Sequence, residues 1–144
     1  MRNMKNQYYI RELTEDETDK LNRSLLQVWE ITNSYWYPLK EISRHDVIAF
    51  DADAFESTFG FEKLREILKD TKEIYEIKEW KDKGNIVEFD SLEPQYDGEG
   101  EGFWFTKDMK WIIYCSHEDS ITFGGESIIQ IIKENWKECD KYIW

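Results

Sequence analysis

The sequence predicts an α+β fold: a single antiparallel β-sheet of about five or six strands, with N-terminal, middle and C-terminal helices packed on one face. Two observations favour this fold. Apolar, aromatic and β-branched residues crowd the stretch from Phe103 to Phe123, and their alternation is typical of a β-meander. Three other stretches carry apolar residues at helical spacing, which indicates amphipathic helices. The chain has 144 residues, and we expect one domain over residues 1–144, because domains most often have roughly 100–150 residues.

An excess of acidic residues limits the partners that this chain can have. The formal net charge is −12, while 40% of the residues are hydrophobic and 16% are aromatic, enough for a sizeable core. A surface this acidic repels nucleic-acid phosphates and anionic membranes and attracts cationic proteins. No apolar run approaches the roughly 18 residues of a membrane span, and no signal peptide is recognisable. We therefore expect a cytoplasmic protein with neither a nucleic-acid nor a membrane partner.

The first predicted helix begins after Thr14. Thr14 and Glu17 have the spacing of a capping box, in which each side chain binds the backbone N–H of the other residue. Apolar residues then recur on one face and indicate a helix that continues to Asn33–Ser34: Leu21, Leu25, Val28 and Trp29, followed by Thr32. Upstream of this helix, Tyr8–Ile10 is expected to form a short edge strand or to pack on the surface.

An aromatic connector, Tyr35–Trp36–Tyr37–Pro38, follows the first helix. Pro38 favours an extended conformation for the residue before it. Consecutive rings on a loop either cover the open end of a core or line a binding groove, and we treat Trp36 and Tyr37 as candidate surface aromatics. The next segment, Val47–Phe50, is predicted to be a short buried strand.

Turn-forming residues follow that strand. Asp51 and Asp53 resemble metal ligands, but aspartate more often accepts hydrogen bonds from free N–H groups at helix starts. Asp53 and Glu56 are accordingly predicted to cap a helical turn. Gly60 is expected to end this turn before a second helix over residues 61–70.

The remaining strands are predicted from a hairpin and from the centre of the meander. Residues 73–80 and 85–89 lie on either side of a polar turn and are expected to pair as a hairpin. In the meander, Trp111, Ile113 and Cys115 share one face of a strand, while Ile112 and Tyr114 share the other. Because both faces are apolar, this strand is predicted to be central in the sheet.

A loop rich in acidic residues and glycine separates the hairpin from the meander. No lysine, arginine or histidine occurs between Lys83 and Phe105, and six carboxylates there equal half of the net charge of −12: Glu88, Asp90, Glu93, Asp97, Glu99 and Glu101. Pro94 and the glycines exclude regular structure, which predicts an exposed loop. Carboxylates that alternate with glycines resemble a calcium loop, but the longer ligand pattern and flanking helices of an EF-hand are missing. We expect no metal there, and a surface for a cationic partner instead.

The last predicted helix begins at Glu126, after Gly124–Gly125 ends the sheet. Its apolar residues recur almost to the end of the chain: Ile128, Ile129, Ile132, Trp136, Cys139 and Ile143. The two cysteines, Cys115 and Cys139, are expected to act as small core residues.

His117 is one of only two histidines and follows the central strand. Cys115 and His117 would share a face, as a nucleophile and its base do, but a cysteine nucleophile needs an electropositive setting, and this stretch is apolar and acidic. A metal site built from His117 and His45 would lack the spacing of zinc-binding motifs. The preferred interpretation is a strand end at which His117 forms a hydrogen bond with a neighbour. We expect no catalytic residue, no metal and no cofactor.

Two short stretches resemble parts of known proteins. Trp111–Glu118 and Thr122–Gly125 resemble segments of small bacterial proteins, some of them from toxin–immunity loci. In size and α+β layout, the chain also resembles the SMI1/KNR4-like immunity superfamily, although Tyr37–Pro38–Leu39 stands where its members carry a Leu-Pro turn. The resemblance implies an antiparallel sheet with flanking helices, and the role of an immunity protein that binds a toxin.

The favoured hypothesis is a non-enzymatic acidic binding protein, an immunity protein that neutralises a cationic bacterial toxin by occluding its active site. Candidate contacts lie in the acidic loop and in the turn after the central strand: Glu93, Asp97, Glu99, Glu101, His117, Glu118 and Asp119. Two alternatives stay open. One is a small hydrolase that uses His117 and a nearby carboxylate as acid and base. The other is a homo-oligomeric interaction module, such as a homodimer, with Trp36, Tyr37 and Trp144 as its contact patch.

Overall fold

The computed structural model describes residues 7–32, Trp36 and residues 42–144, and these residues form one antiparallel sheet between two layers of helices. The seven strands are β1 Tyr9–Glu12, β2 Val47–Asp51, β3 Ile74–Lys78, β4 Asn85–Val87, β5 Gly102–Phe105, β6 Ile112–Cys115 and β7 Ser120–Gly124. Their order across the sheet is β1-β4-β3-β5-β6-β7-β2. The four α-helices are α1 Glu15–Trp29, α2 Ala52–Ala54, α3 Phe61–Ile67 and α4 Glu126–Asn135. A π-helical turn occupies Phe55–Phe59, and short 3-10 helices occupy Phe89–Ser91 and Cys139–Tyr142.

The predicted α+β class is confirmed, but two details of the predicted sheet were wrong. The sheet has seven strands within the described residues rather than five or six, because the short strands β1 and β2 both join it as edges. Helices cover both faces rather than one, with α1 on one side and α2, α3 and α4 on the other. The central strands β3, β5 and β6 explain this arrangement, since they are buried on both faces and neither face can be left in water.

Helix α1 begins as the capping box predicts. The Thr14 hydroxyl accepts a hydrogen bond from the Glu17 N–H at 3.1 Å, and the Glu17 carboxylate accepts one from the Thr14 N–H at 2.8 Å. The helix ends at Trp29, earlier than the pattern indicates, because Glu30 adopts a left-handed conformation with φ of 63°. Leu21, Leu25 and Trp29 are buried against the sheet, as predicted. Thr32 lies outside the helix and is exposed.

The strand β6 is central, as predicted. It lies between β5 and β7, and all of its residues are buried. Trp111, Ile113 and Cys115 belong to the core on the α4 side, whereas Ile112 and Tyr114 belong to the core on the α1 side. The predicted hairpin of β3 and β4 also forms, with Tyr75 opposite Ile86.

Asp51 caps the segment between β2 and α3. The Asp51 carboxylate accepts a hydrogen bond from the Ala54 N–H at 2.8 Å and so caps the start of α2. This supports the interpretation of Asp51 as a cap. Helix α3 then begins after Gly60, as expected, and extends only from Phe61 to Ile67.

The last helix is shorter than its apolar repeat predicts. α4 ends at Asn135, whose side chain donates a hydrogen bond to the Ile131 carbonyl at 2.8 Å and so competes with the helical backbone. Cys139 therefore lies in a 3-10 helix rather than in α4. The break turns the chain back to the sheet, where Ile143 pairs with Phe50 of the edge strand β2.

Candidate protein-binding surface

Three strand ends meet at one end of the sheet and carry acidic residues. The register places Lys78, Gly102 and Cys115 side by side on β3, β5 and β6. Glu79 follows β3, Glu101 precedes β5, and His117 lies just beyond β6. Backbone hydrogen bonding continues past the strands, since the Glu79 N–H donates to the Glu101 carbonyl at 2.8 Å. The acidic loop and the turn after β6 therefore reach the same place.

The carboxylate of Glu101 joins the loop to the turn. One oxygen accepts a hydrogen bond from the Tyr114 hydroxyl at 2.5 Å. The other accepts the His117 N–H at 3.1 Å and lies 2.6 Å from His117 Nδ1. The Glu101 side chain is only 12% exposed, whereas that of His117 is 65% exposed. Glu101 is thus an internal clamp, and the predicted hydrogen-bonded strand end at His117 is observed.

This clamp sets the protonation of its two partners. The hydrogen bond to Glu101 raises the pKa of His117. Desolvation opposes this rise, and the negative charges of Glu101, Glu118 and Glu79 add to it. Burial, followed by the hydrogen bond to Glu101, raises the pKa of Tyr114 well above its usual value, so Tyr114 remains a donor. His117 consequently carries a positive charge over a wider pH range than an isolated histidine does.

The other predicted contacts in the loop have partners within the chain. The Asp97 carboxylate pairs with Lys78 and accepts the Glu99 N–H at 2.9 Å. Burial alone would raise the pKa of Asp97, but the hydrogen bonds from Lys78 and the backbone outweigh it and lower that pKa. Glu93 lies 3.9 Å from Arg65 and is largely buried.

The expectation of a fully exposed loop was therefore wrong in part, because several of its residues fold inward. Pro94, Gln95 and Gly100 are buried, whereas Glu99 is exposed. Glu118, in the turn after β6, is also exposed. Of the predicted acidic contacts in the described residues, Glu99 and Glu118 are thus the two that project fully into solvent.

Asp119 points to a separate acidic cluster. Its carboxylate lies with those of Asp51 and Asp53, and one oxygen from each falls within 4.8 Å of the others. Carboxylates in such a group are suitable ligands for Mg²⁺ or Ca²⁺. The Asp51 carboxylate, however, already accepts the Ala54 N–H. The Asp119 backbone adopts a left-handed conformation, and its carbonyl accepts the Ala52 N–H at 2.9 Å, which fixes the turn to α2.

Of the candidate surface aromatics, Trp36 and Trp144 lie within the described residues. Trp36 is 3% exposed and donates a hydrogen bond from its indole N–H to the Trp29 carbonyl at 2.7 Å, so its assignment to the surface was wrong. It covers the end of the core on the α1 side, in edge contact with Tyr114. Tyr37 lies outside the described residues. Trp144 is half-exposed, and its backbone N–H donates to the Ala49 carbonyl at 2.9 Å on β2.

Sequence reasoning missed Trp80, which was assigned to the end of a strand. β3 ends at Lys78, and Trp80 lies in the turn beyond it, 81% exposed, with a left-handed φ of 71°. Its position directly before the polar residues Lys81–Asp82–Lys83 is the one signal in the sequence that this ring belongs to a turn.

Sequence reasoning also missed a buried carboxyl group, Glu76, in the middle of β3. Glu76 is 2% exposed, and its oxygens accept hydrogen bonds from Gln7 Nε2 at 2.6 Å, the Tyr9 hydroxyl at 2.9 Å and Trp104 Nε1 at 3.0 Å. Burial raises its pKa, while Lys78 and the three donors oppose that rise. The group helps to hold the edge strand β1 to the sheet, because one of its donors, Tyr9, lies on β1.

A groove of about 650 Å³ lies elsewhere, between the edge strand β2 and helix α4. Its lining includes His45, Ile48, Ile129 and Lys133, and does not include His117. The His117–Glu101 pair has the hydrogen-bond geometry of an acid–base pair, but Glu101 is occupied by three hydrogen bonds of the chain itself.

In comparisons with known proteins, no family model, no curated protein and no solved structure matches this chain. Within the described ranges, no helix has both the length and the apolar character needed to cross a membrane.

Proposed function

We propose that this chain is a non-enzymatic binding protein of the immunity type, which neutralises a cationic bacterial toxin by occluding its active site. The observation that supports this most strongly is the Glu101 clamp. It ties the acidic loop to the turn after β6, so that the exposed carboxylates of Glu99 and Glu118 belong to one preorganised surface. A surface that is ordered before binding loses little conformational entropy when the partner arrives.

The charge of the whole chain supports the same proposal. A net charge of −12 attracts basic proteins over distances near the Debye length, which is about 8–10 Å at physiological ionic strength. Such attraction raises the association rate more than it slows dissociation. An inhibitor that must capture a toxin before the toxin reaches its target benefits from fast association. The action would take place in the cytoplasm, and it requires no cofactor.

Reversing the two exposed charges tests this proposal. The double substitution Glu99→Lys with Glu118→Lys changes the net charge from −12 to −8, because each Glu→Lys change adds two positive units. We expect its association rate with the cognate basic toxin domain to fall by about ten-fold or more at low ionic strength. Stopped-flow association at several salt concentrations measures this rate, and co-expression measures protection of the host cell.

A matched control separates the local surface from the net charge. Glu134→Lys with Glu138→Lys makes the same change of four units at exposed positions in and just after α4. This control should reduce the association rate far less than the test pair does. Equal slowing by both pairs would indicate unspecific attraction, and an unchanged rate with the test pair would remove the acidic surface from the mechanism.

A further inference from the structure

Trp80 is the most exposed large hydrophobic side chain in the described part of the chain, with 81% of its surface accessible. The cations that lie over aromatic rings among the described residues are Arg44 over Trp29 and Lys63 over Phe59, so no cation of this kind covers Trp80. Tryptophan is strongly enriched among the residues that dominate protein–protein binding, because its rigid ring offers a large contact area. The indole face of Trp80 is therefore available to a partner.

The backbone of the acidic loop lies close to the base of the Trp80 side chain. Gly100, in the acidic loop, is buried against the turn that carries Trp80. A Cβ atom at Gly100 would lie 2.7 Å from the Glu79 carbonyl and 3.2 Å from Trp80 Cδ1, which only glycine avoids. One edge of the indole thus lies close to the backbone of the acidic loop, while the rest of the ring is exposed.

The charges around this ring favour a cation. Glu79 precedes Trp80 in sequence, and one of its carboxylate oxygens accepts the Glu101 N–H at 3.2 Å. Glu99 is exposed and is adjacent in sequence to Gly100, which lies close to one edge of the indole. Lys78 is already paired with Asp97, and the charge of His117 is balanced by Glu101. Lys81 and Lys83 in the same turn oppose these carboxylates, but they are solvated, and Asp82 lies between them. An electron-rich ring beside carboxylates is the setting in which a cation gains from both ring and charge.

The chain itself contains an arginine that is bound in this way. The guanidinium of Arg44 lies 3.9 Å from the centre of the Trp29 ring, and the Asp46 carboxylate holds it with two hydrogen bonds of 2.9 Å and 2.7 Å. Arginine suits this geometry better than lysine does, because its guanidinium is planar, weakly hydrated and able to bind a carboxylate with two hydrogen bonds.

We propose that Trp80, with Glu79 and Glu99, forms a binding site for an arginine side chain on the surface of a basic protein partner. The guanidinium stacks on the indole and is held by carboxylates, as Arg44 is held between Trp29 and Asp46. This inference rests on the proposed function, because it names the residue of the acidic surface that provides the aromatic contact and the side chain that it recognises.

Fluorescence quenching can test the site with decaarginine and decalysine peptides as probes. Five of the seven tryptophans are buried, so in a Trp144→Phe background the tryptophan open to acrylamide is Trp80. We expect decaarginine to protect this tryptophan from acrylamide and to bind more tightly than decalysine. Trp80→Leu in the same background, measured by fluorescence anisotropy of a labelled peptide, should weaken decaarginine binding by about two- to five-fold, the size of an exposed cation–π contact. Trp80→Phe should restore part of that loss.

Folding of the variants is checked with Trp80→Asn. Asparagine tolerates the left-handed conformation better than tryptophan does, so this variant should melt at the same temperature as the parent or higher, while it loses decaarginine binding to the same extent as Trp80→Leu. Unchanged decaarginine affinity in both Trp80→Leu and Trp80→Asn would overturn the site. If Glu99→Lys with Glu118→Lys still slows toxin association in that case, the proposed function stands without Trp80. If neither change affects binding, both proposals fall.

Discussion

Among individual residues, Glu76 is the one whose protonation most directly concerns stability. Its carboxyl group is buried in β3 and receives three hydrogen bonds, among them one from the Tyr9 hydroxyl of β1 and one from Trp104 of β5. Burial raises its pKa above the ordinary value of 4.5. At a pH between the ordinary and the folded pKa, folded molecules therefore retain a proton that unfolded molecules have already released. The stability from this group is complete below the ordinary pKa and is lost as the pH rises through the folded pKa.

Glu76→Gln should remove this pH dependence. Glutamine keeps an acceptor for Gln7 and Trp104, and its amide can donate to the Tyr9 oxygen, so the packing is preserved. We expect the free energy of unfolding of the variant to exceed that of the parent at pH 8 and the difference to shrink toward pH 4, by about 1.4 kcal/mol for each unit of pKa elevation. Urea unfolding at several pH values measures this. Glu66→Gln, at an exposed position, is the control. A difference that grows toward low pH would contradict the prediction.

The pairing of His117 with Glu101 also makes stability depend on pH. The folded pKa of His117 is raised above 6.5, so the stabilisation from the pair is complete below pH 6.5 and is lost as the pH rises through the folded pKa. A titration by NMR should give a pKa above 6.5 for His117 in the parent protein, and Glu101→Gln should lower that value. Glu134→Gln removes the same charge from α4 and should leave the His117 pKa unchanged. A His117 pKa that does not respond to Glu101→Gln would mean that the hydrogen bond is not formed in solution.

Among the structural elements, α1 packs closely against β7 because Gly124 has no side chain. A Cβ atom on Gly124 would lie 2.7 Å from Cζ3 of Trp29 and 2.8 Å from Cγ2 of Ile112. Trp29 is fully buried at the end of α1, and its ring fills the space that Gly124 leaves on the sheet. Neither atom belongs to a side chain that has room to move, because interiors are packed as densely as organic crystals.

Gly124→Ala should therefore destabilise the protein by about 1–3 kcal/mol, the usual cost of an extra carbon in a filled core. Chemical unfolding of four proteins tests the cause: the parent, Gly124→Ala, Trp29→Phe and the double variant. If the clash with Trp29 is the cause, Gly124→Ala costs less free energy in the Trp29→Phe background than in the parent. Additive costs would show that the Trp29 ring is not what Gly124 accommodates.

Several secondary-structure elements could be predicted from the sequence. The start of α1, the β3–β4 hairpin and the central position of β6 follow from local patterns, because capping boxes and apolar alternation are properties of neighbouring residues. The ends of α1 and α4 did not follow. α1 ends where Glu30 is left-handed, and α4 ends at Asn135, whose side chain binds the Ile131 carbonyl just before Trp136 packs against Phe50 and Tyr142.

The candidate surface was predictable only in part, because burial depends on residues that are distant in sequence. Glu99 and Glu118 are exposed, as a charge pattern indicates. Glu76 has the charge of a surface residue, and its burial depends on Gln7, Tyr9 and Trp104, which are distant in sequence. Burial of Trp36 likewise depends on Trp29 and Tyr114, so composition alone could not tell whether its ring covers a core or faces a partner.

Across the whole molecule, the sheet separates two hydrophobic cores, and different helices cover each of them. One core lies under α1, and the other lies under α2, α3 and α4. The carboxylates proposed for binding lie at the end of the sheet where the central strands β3 and β6 finish and β5 begins. A surface on central strands is better supported than one on an edge, because each strand is held by neighbours on both sides.

The strand order also determines when this molecule can form during its synthesis. β1 and β2 come first in the chain, yet they occupy opposite edges of the sheet, with all five later strands between them. Neither can pair until β4 or β7 has been made, and α1 has no apolar face to cover until the central strands exist. The first half of this chain therefore leaves the ribosome with the apolar face of α1 uncovered and with β1 and β2 unpaired. Long-range closure of this kind is slow, so chaperones have a long interval in which to bind the nascent chain.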